Sequence, residues 1–242
     1  MRIRRIHSPL ALQQHTQVVL GDDACRHLVK VLRLKSGDAF VLFDGSGCDF
    51  AARLQHVSKQ GCTAEVGEIL RQEDPPELQV SLAIGISRGE RMDFSIQKAV
   101  ELGVGHIIPL FTERSMVQLK GSRLQGRLQH WQGVIRHACE QSGRSRLPTL
   151  SAARSLPEWL HGFHGQGVLL DHRADATLID IPAPRQELTL LAGPEGGLSP
   201  HERESAARSG LRAVRLGPRI LRTETAPLAA LSVIQTLWGD FR

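Results

Sequence analysis

A chain of 242 residues with 30 Lys plus Arg against 25 Asp plus Glu, a net charge of +5, can form one large domain or two modest ones around a real core. No apolar run approaches the roughly 18 residues of a membrane span, and the basic start "MRIRRIHSPLA" leads into no apolar stretch of signal-peptide length. The four cysteines, Cys25, Cys48, Cys62 and Cys139, lack C-x-x-C and zinc-finger spacing, so reduced thiols in a soluble, cytoplasmic protein are expected, with no metal and no membrane partner.

Residues 1 to 70 are predicted to form a small β-rich domain. "TQVVL", "DAFVLFDG", "FAARLQHV" and "TAEVGEIL" alternate or cluster strand formers, "DGSG" (Asp44 to Gly47) is a hairpin turn, and "DDACRHLVKVLRLKSGD" is a short helix with a basic edge. "RQEDPPE", residues 71 to 77, concentrates charge and two prolines and is read as a linker. From residue 78 to 242 the rhythm becomes strand, helix, strand. "LQVSLAIGIS" is a strand, "RMDFSIQKAVELG" a helix with Met92, Ile96, Ala99 and Val100 on one face, and "HIIPLF" a strand. A basic helix follows around Leu124 to Gln141, then strands at Gly167 to Asp171, Leu188 to Ala192 and Arg212 to Gly217, and an apolar helix "TAPLAALSVIQTLW" that Gly239 stops. This alternation predicts an α/β fold, a parallel sheet with helices on both faces.

Basic residues are unevenly spread. Residues 1 to 35 hold seven, Arg2, Arg4, Arg5, Arg26, Lys30, Arg33 and Lys35, against Asp22 and Asp23 alone, and residues 114 to 154 hold eight against Glu140. Two local excesses of this kind are the electrostatic footprint of a polyanion-binding protein, although basic faces also occur without function.

The stretch "LLAGPEGGLSPHE", Leu190 to Glu202, joins a buried strand to a helix through a turn rich in glycine. Ser199 and Glu202 form an S-x-x-E capping box with Pro200 at the first helical position, and Gly210 stands where a left-handed C-cap falls. Strand-to-helix loops lie at the carboxyl ends of parallel strands, where α/β folds build ligand crevices, and glycines there admit close approach to bare backbone. "LGPRILRTETAPLAAL", Leu216 to Leu231, repeats the pattern, with Thr223 or Thr225 as the expected cap of the last helix. Elsewhere, "VELGVGH" has the glycine spacing of a methyltransferase loop but sits between a helix and a strand in the wrong order, so Gly103 is read as a helix stop. His161 and His164 have no metal-ligand partners at suitable spacing and are expected to be solvated. There is no P-loop, G-x-S-x-G elbow or H-E-x-x-H.

Taken together, "GPEGGLSPHE", "LGPRILRTETA", "QKAVELGV" with "IIPL", and "EQSGRSRLP" resemble the bacterial 16S ribosomal RNA uridine N3-methyltransferase family of the SPOUT (knotted) methyltransferases. "RIRRI" and "HLVKVLRLKSGD" resemble that family's N-terminal PUA-like barrel. The resemblance implies a C-terminal trefoil knot, which general chain topology would have rejected. It also implies S-adenosylmethionine as cofactor, a homodimer, and 16S rRNA of the small ribosomal subunit as partner. By the same resemblance Gly193, Pro194, Gly196 and Gly197 bring backbone to the cofactor, and Leu191, Leu216, Gly217, Ile220, Leu221, Thr225 and Ala226 belong to its pocket.

Methylation of uridine N3 requires loss of its proton or stabilisation of the uridine anion, followed by in-line attack on the sulfonium methyl. Glu195 and Glu224 are the candidate carboxylates and Arg222 the candidate cation for charge on a uracil carbonyl. Proton abstraction and helix capping stay open for both glutamates. Arg2, Arg4, Arg5, Lys30, Arg33 and Arg144 are the candidates for gripping RNA phosphates. Rival expectations are another RNA acceptor, such as a ribose 2′-hydroxyl, and a ribosome-binding protein without transfer activity.

Overall fold

The computed structural model describes residues 4–58, 61–117 and 119–241. The chain divides into two compact units, Met1–Pro75 with Arg136–Leu147, and Pro76–Ile135 with Pro148–Arg242.

The first unit is β-rich. Strands β1 (Arg5–His7), β2 (Thr16–Leu20), β3 (Ala39–Phe43), β4 (Cys48–Ser58) and β5 (Gly61–Gln72) pair in the order β1-β3-β4-β5-β2, all antiparallel except β1 with β3. Alternation sends Phe50, Ala52 and Leu54 of β4 and Cys62, Ala64 and Val66 of β5 into a core shared with Ile6, Leu20, Leu28 and Leu42. The turn at Asp44 to Gly47 closes the β3-β4 hairpin as expected. Gly45 and Gly47 hold φ of 90° and 110°, and the Asp44 carboxylate accepts the N–H groups of Ser46 and Leu12. A short helix, α1 (Asp22–Arg26), continues as a π-helical turn over His27–Val31.

Three expectations change here. Strand β5 continues through Arg71 and Gln72, positions that composition assigns to a linker. Cys25 and Cys62 form a disulfide with Cα atoms 5.7 Å apart, so these two are not the free thiols expected. A pairing across 37 residues leaves no spacing signal in the chain. Cys139, by contrast, is a buried free thiol whose pKa burial pushes up to about 12. The third change concerns Arg5, which is buried structure and not a free RNA contact. Its guanidinium pairs with Asp49, itself 5% exposed, and donates to the Arg144 carbonyl at 3.0 Å. Asp49 also takes Arg71 at 3.3 Å and the Ser145 hydroxyl at 2.6 Å. The "EQSGRSRLP" stretch is thereby tied to β1 and β4, because two guanidinium groups and a hydroxyl satisfy one buried carboxylate.

The second unit is a parallel sheet of β6 (Gln79–Gly85), β7 (His106–Phe111), β8 (Thr149–Leu150), β9 (Arg154–Ser155), β10 (Gly167–Leu170), β11 (Glu187–Ala192) and β12 (Leu211–Val214). Their order is β12-β10-β11-β6-β7-β8, with β9 also on β7. Register places Val168, Leu190, Leu82 and Ile107 in one row and Leu169, Leu191, Ala83 and Ile108 in the next. Both rows are buried. Successive residues of a strand face opposite sides, so both faces of the sheet are covered, as a parallel sheet requires. Helices α4 (Leu156–His161) and α5 (Pro200–Arg208) supply Trp159, Leu160 and Ala206 to the row of Leu169 and Leu191. Helix α2 (Glu90–Glu101) packs against α6 (Thr225–Trp238). Helix α3 (Gly121–Ser142) is the basic helix; its Trp131 is buried and donates to Asp93 of α2 at 3.1 Å.

Local chemistry sets most helix ends. Ser199 and Glu202 form the reciprocal capping box of α5, Gly103 ends the α2 region at φ 85°, and Gly210 follows α5 at φ 92°. The last helix departs from expectation. Neither threonine side chain caps α6; Glu224 occupies the N-cap in a helical conformation, and the Arg222 carbonyl accepts the N–H groups of Thr225 and Ala226. The Thr223 hydroxyl is used elsewhere. Among the described residues no helix is long and apolar enough to cross a membrane.

Candidate active site

The carboxyl ends of β6, β7, β10, β11 and β12 face one way because the strands are parallel. A cleft opens there, walled by residues 192–198, 169–173, 214–216 and 219–221, with Thr223, Ala226, Arg114 and Arg203. This is the crevice position of an open α/β sheet, where chain order jumps from one side of the sheet to the other.

The glycine loop after β11 is tied to every neighbour. Toward the β6 loop, Glu195 Oε1 accepts the Arg88 N–H at 2.9 Å and lies 3.5 Å from the Arg91 guanidinium. Burial pushes the Glu195 carboxyl up, but the Arg88 N–H, the residue's own N–H, the Arg91 charge and the Ser87 hydroxyl outweigh it and hold the group below its ordinary value. Toward the β7 loop, Arg114 donates to the Gly196 carbonyl at 3.1 Å, and Glu202 accepts the Glu113 N–H at 2.8 Å. Toward the β10 loop, Arg203 donates to the Leu198 carbonyl at 2.8 Å and pairs with Asp171 at 3.2 Å. Toward α6, the Thr223 hydroxyl donates to the Gly193 carbonyl at 2.9 Å. Peptide groups that would otherwise lack partners in a packed loop are thus satisfied by side chains of four neighbouring segments.

Packing explains the glycines. A Cβ on Gly193 would lie 3.1 Å from Gly197 backbone, and one on Gly196 would lie 3.0 Å from Arg114 Cβ. Gly197 has open space around it but adopts φ +64°. Gly85, on the neighbouring strand, gives room to Pro194, which a Cβ there would meet at 2.5 Å.

Profiles of known families match both parts of the chain, the RNA methyltransferase domain over residues 74–235 and the RNA methyltransferase PUA domain over residues 20–67. Ribosomal RNA small subunit methyltransferase E of Buchnera aphidicola (Schizaphis graminum) is 32% identical over 99% of this chain and 98% of its own length. The chain belongs to this family. The Bacillus subtilis member is 30% identical over 92% of each chain. Two solved structures cover both chains entirely. The family member from Neisseria gonorrhoeae, bound to S-adenosyl methionine, is 38% identical with a TM-score of 0.92. A protein from Legionella pneumophila, solved with bound cofactor SAM, is 34% identical with a TM-score of 0.96.

Of the residues singled out from the sequence, Gly193, Pro194, Glu195, Gly196, Gly197, Leu216, Ile220, Leu221 and Ala226 line the cleft. Leu191 does not: it is fully buried in β11, beneath the cleft, in the core formed with Leu169 and Ala83. Gly217, Arg222, Glu224 and Thr225 lie on the same loop and helix start but off the cleft wall. The exposed Arg222 guanidinium makes no hydrogen bond or ion pair with the described residues, and Glu224 Oε2 is a buried acceptor without a donor among them. Sequence reasoning missed Arg114, Asp171, Arg203 and Thr223. Asp171 follows directly on the end of β10 and Arg114 lies three residues past the end of β7, and position after a strand is the one signal that marked them.

On the first unit, Arg4, Lys30 and Arg33 are exposed. Arg4 edges a cleft with Phe40, Val41, Arg53 and Leu70. Arg144 is partly exposed and Arg2 lies outside the described residues. His161 and His164 are exposed at the end of α4. A different trio escaped the sequence: ligand-capable atoms of His27, His137 and Glu140 lie within 4.8 Å of one another, with Glu140 already accepting the His7 N–H at 3.0 Å.

Proposed function

We propose that this protein transfers the methyl group of S-adenosylmethionine to N3 of a uridine in 16S rRNA of the small ribosomal subunit. The observation that carries the proposal is the glycine loop tied by hydrogen bonds to its neighbours at the strand ends, on a fold shared along its whole length with two structures solved with that cofactor. The residues present fit the group. Leu216, Ile220, Leu221 and Ala226 offer an apolar wall for an adenine, backbone is bare at Gly193 and Gly197, and Glu195 supplies negative charge toward a cationic ligand. The Oε2 atoms of Glu195 and Glu224 are buried acceptors that lack hydrogen-bond partners among the described residues. When bound, the cofactor supplies an electrophilic methyl on a sulfonium.

The chain's own residues divide the remaining work. Glu195 is held ionised with a lowered pKa, which makes it a weak base, and its hydrogen bonds tie the cofactor loop to the β6 loop. The unpaired Arg222 is the cation available to a developing uracil oxyanion, and Glu224 is the remaining carboxylate for the N3 proton. Arg4, Lys30, Arg33 and Arg144 serve as the phosphate grip. A homodimer and a trefoil knot formed by the segment from β12 into α6 complete the proposal. Support for the dimer is the exposure of Val233 and Leu237 on the apolar last helix and of Phe241 just beyond it.

The test is transfer of labelled methyl to small ribosomal subunits that lack the modification, followed by identification of the nucleoside. Labelled N3-methyluridine is expected from wild type, with the single-turnover rate of Arg222→Ala lower by on the order of a hundredfold and partly restored at higher pH. Label on a ribose, on another base, or nowhere would overturn the proposal.

A further inference from the structure

The β7 loop, residues 112–115, carries no motif and was not expected at the site, yet it forms part of the cleft through Arg114. Arg114 Cβ would lie 3.0 Å from a Cβ at Gly196, so a side chain there would have to push Arg114 aside, and the Arg114 guanidinium closes on the Gly196 carbonyl at 3.1 Å. What holds this loop down is Glu202. Its side chain is 3% exposed, and one carboxylate takes two backbone N–H groups, Ser199 at 2.8 Å and Glu113 at 2.8 Å. The first bond is the local capping box. The second spans 89 residues and joins the start of α5 to the residue before Arg114.

We propose that Glu202 is a positioning residue for methyl transfer, holding the β7 loop so that Arg114 covers Gly196 and fixes the cofactor-facing backbone of the glycine loop. A helix cap alone needs one glutamate oxygen on the N-cap N–H. Here the second oxygen is spent on another strand's loop, at the edge of the cleft, where a small displacement of backbone changes ligand geometry. Leaving the Glu113 N–H with a poorer acceptor loosens the β7 loop, so the cost falls on the site and not on the helix alone.

The proposal rests on the S-adenosylmethionine reading of the cleft, and a double-mutant cycle in cofactor binding separates the two. Glu202→Gln keeps the shape and one acceptor oxygen while weakening the paired grip. Arg114→Ala removes an exposed side chain and its bond to Gly196. Isothermal titration with S-adenosylmethionine well below each thermal transition is expected to show Kd raised about tenfold in each single variant. The double variant should be raised little further, because both changes release the same loop. Turnover at saturating cofactor should fall less than kcat/KM for cofactor. A Glu202→Gln protein with a lowered melting temperature and wild-type Kd, or two strictly additive effects on Kd, would overturn the proposal and leave Glu202 a helix cap. Should Glu202→Gln fail to fold, Arg114→Ala with wild-type Kd overturns it equally. Absence of cofactor binding by wild type would overturn the cofactor assignment itself, and this proposal with it.

Discussion

A carboxylate's role is decided by the donors that surround it, and Glu195 and Glu202 illustrate the point one residue at a time. Glu195 is recognisable in the sequence as a site residue because it lies inside "GPEGG". Its role is not, because its principal donor, Arg88, is 107 residues away in the chain. With a folded-state pKa lowered relative to the unfolded chain, the ionised form favours the native loop. That stabilisation is complete above the ordinary carboxylate value of about 4.3 and disappears as pH falls through the lowered one. Scanning calorimetry from about pH 7 to 3 should therefore find Glu195→Gln less stable than wild type at neutral pH, with the two curves converging in acid. A gap that persists at the acid end would assign the loss to shape and not to charge.

At the scale of elements, the ends of helices and strands were largely legible and their lateral ties were not. The capping box of α5, the stop at Gly103 and the Asp44 turn are all interactions within a few residues, so local sequence carries them. The tie between β1, β4 and the stretch after α3 was hidden, since Arg5, Asp49 and Ser145 come from three distant segments. Arg5 accordingly resembled one more basic residue of an RNA-binding face. Its burial leads to a different expectation. Asp49→Ala strands the Arg5 guanidinium without its counter-ion, and urea unfolding should show a loss of about 3–5 kcal/mol, as for other broken buried pairs. A loss below about 1 kcal/mol would show that water or Glu73 replaces Asp49 at no cost.

For the whole molecule, charge distribution is the property read most directly from the chain, and the structure sorts it. Of the N-terminal basic residues, Arg4, Lys30 and Arg33 are exposed whereas Arg5 is consumed internally. Substituting Arg4, Lys30 and Arg33 together with alanine should weaken RNA binding and lower the slope of log K against log salt by roughly two to three, without changing cofactor affinity. Filter binding across a potassium chloride series measures this, and an unchanged slope would make the three a solvated surface. Arg5→Ala should instead act on stability.

By itself the sequence determined the alternation of strand and helix, the family, the glycine loop, the local caps and the basic character of the chain. These follow from side-chain period, from bonds spanning about four residues, and from glycines that no other residue replaces at a tight approach. Tertiary structure alone decided which partners meet across the cleft. Strand order β12-β10-β11-β6-β7-β8 brings Arg88, Glu113, Asp171 and Thr223 around one glycine loop. No local propensity encodes that order, because it arises from burying both faces of a sheet whose neighbouring strands are far apart in the chain.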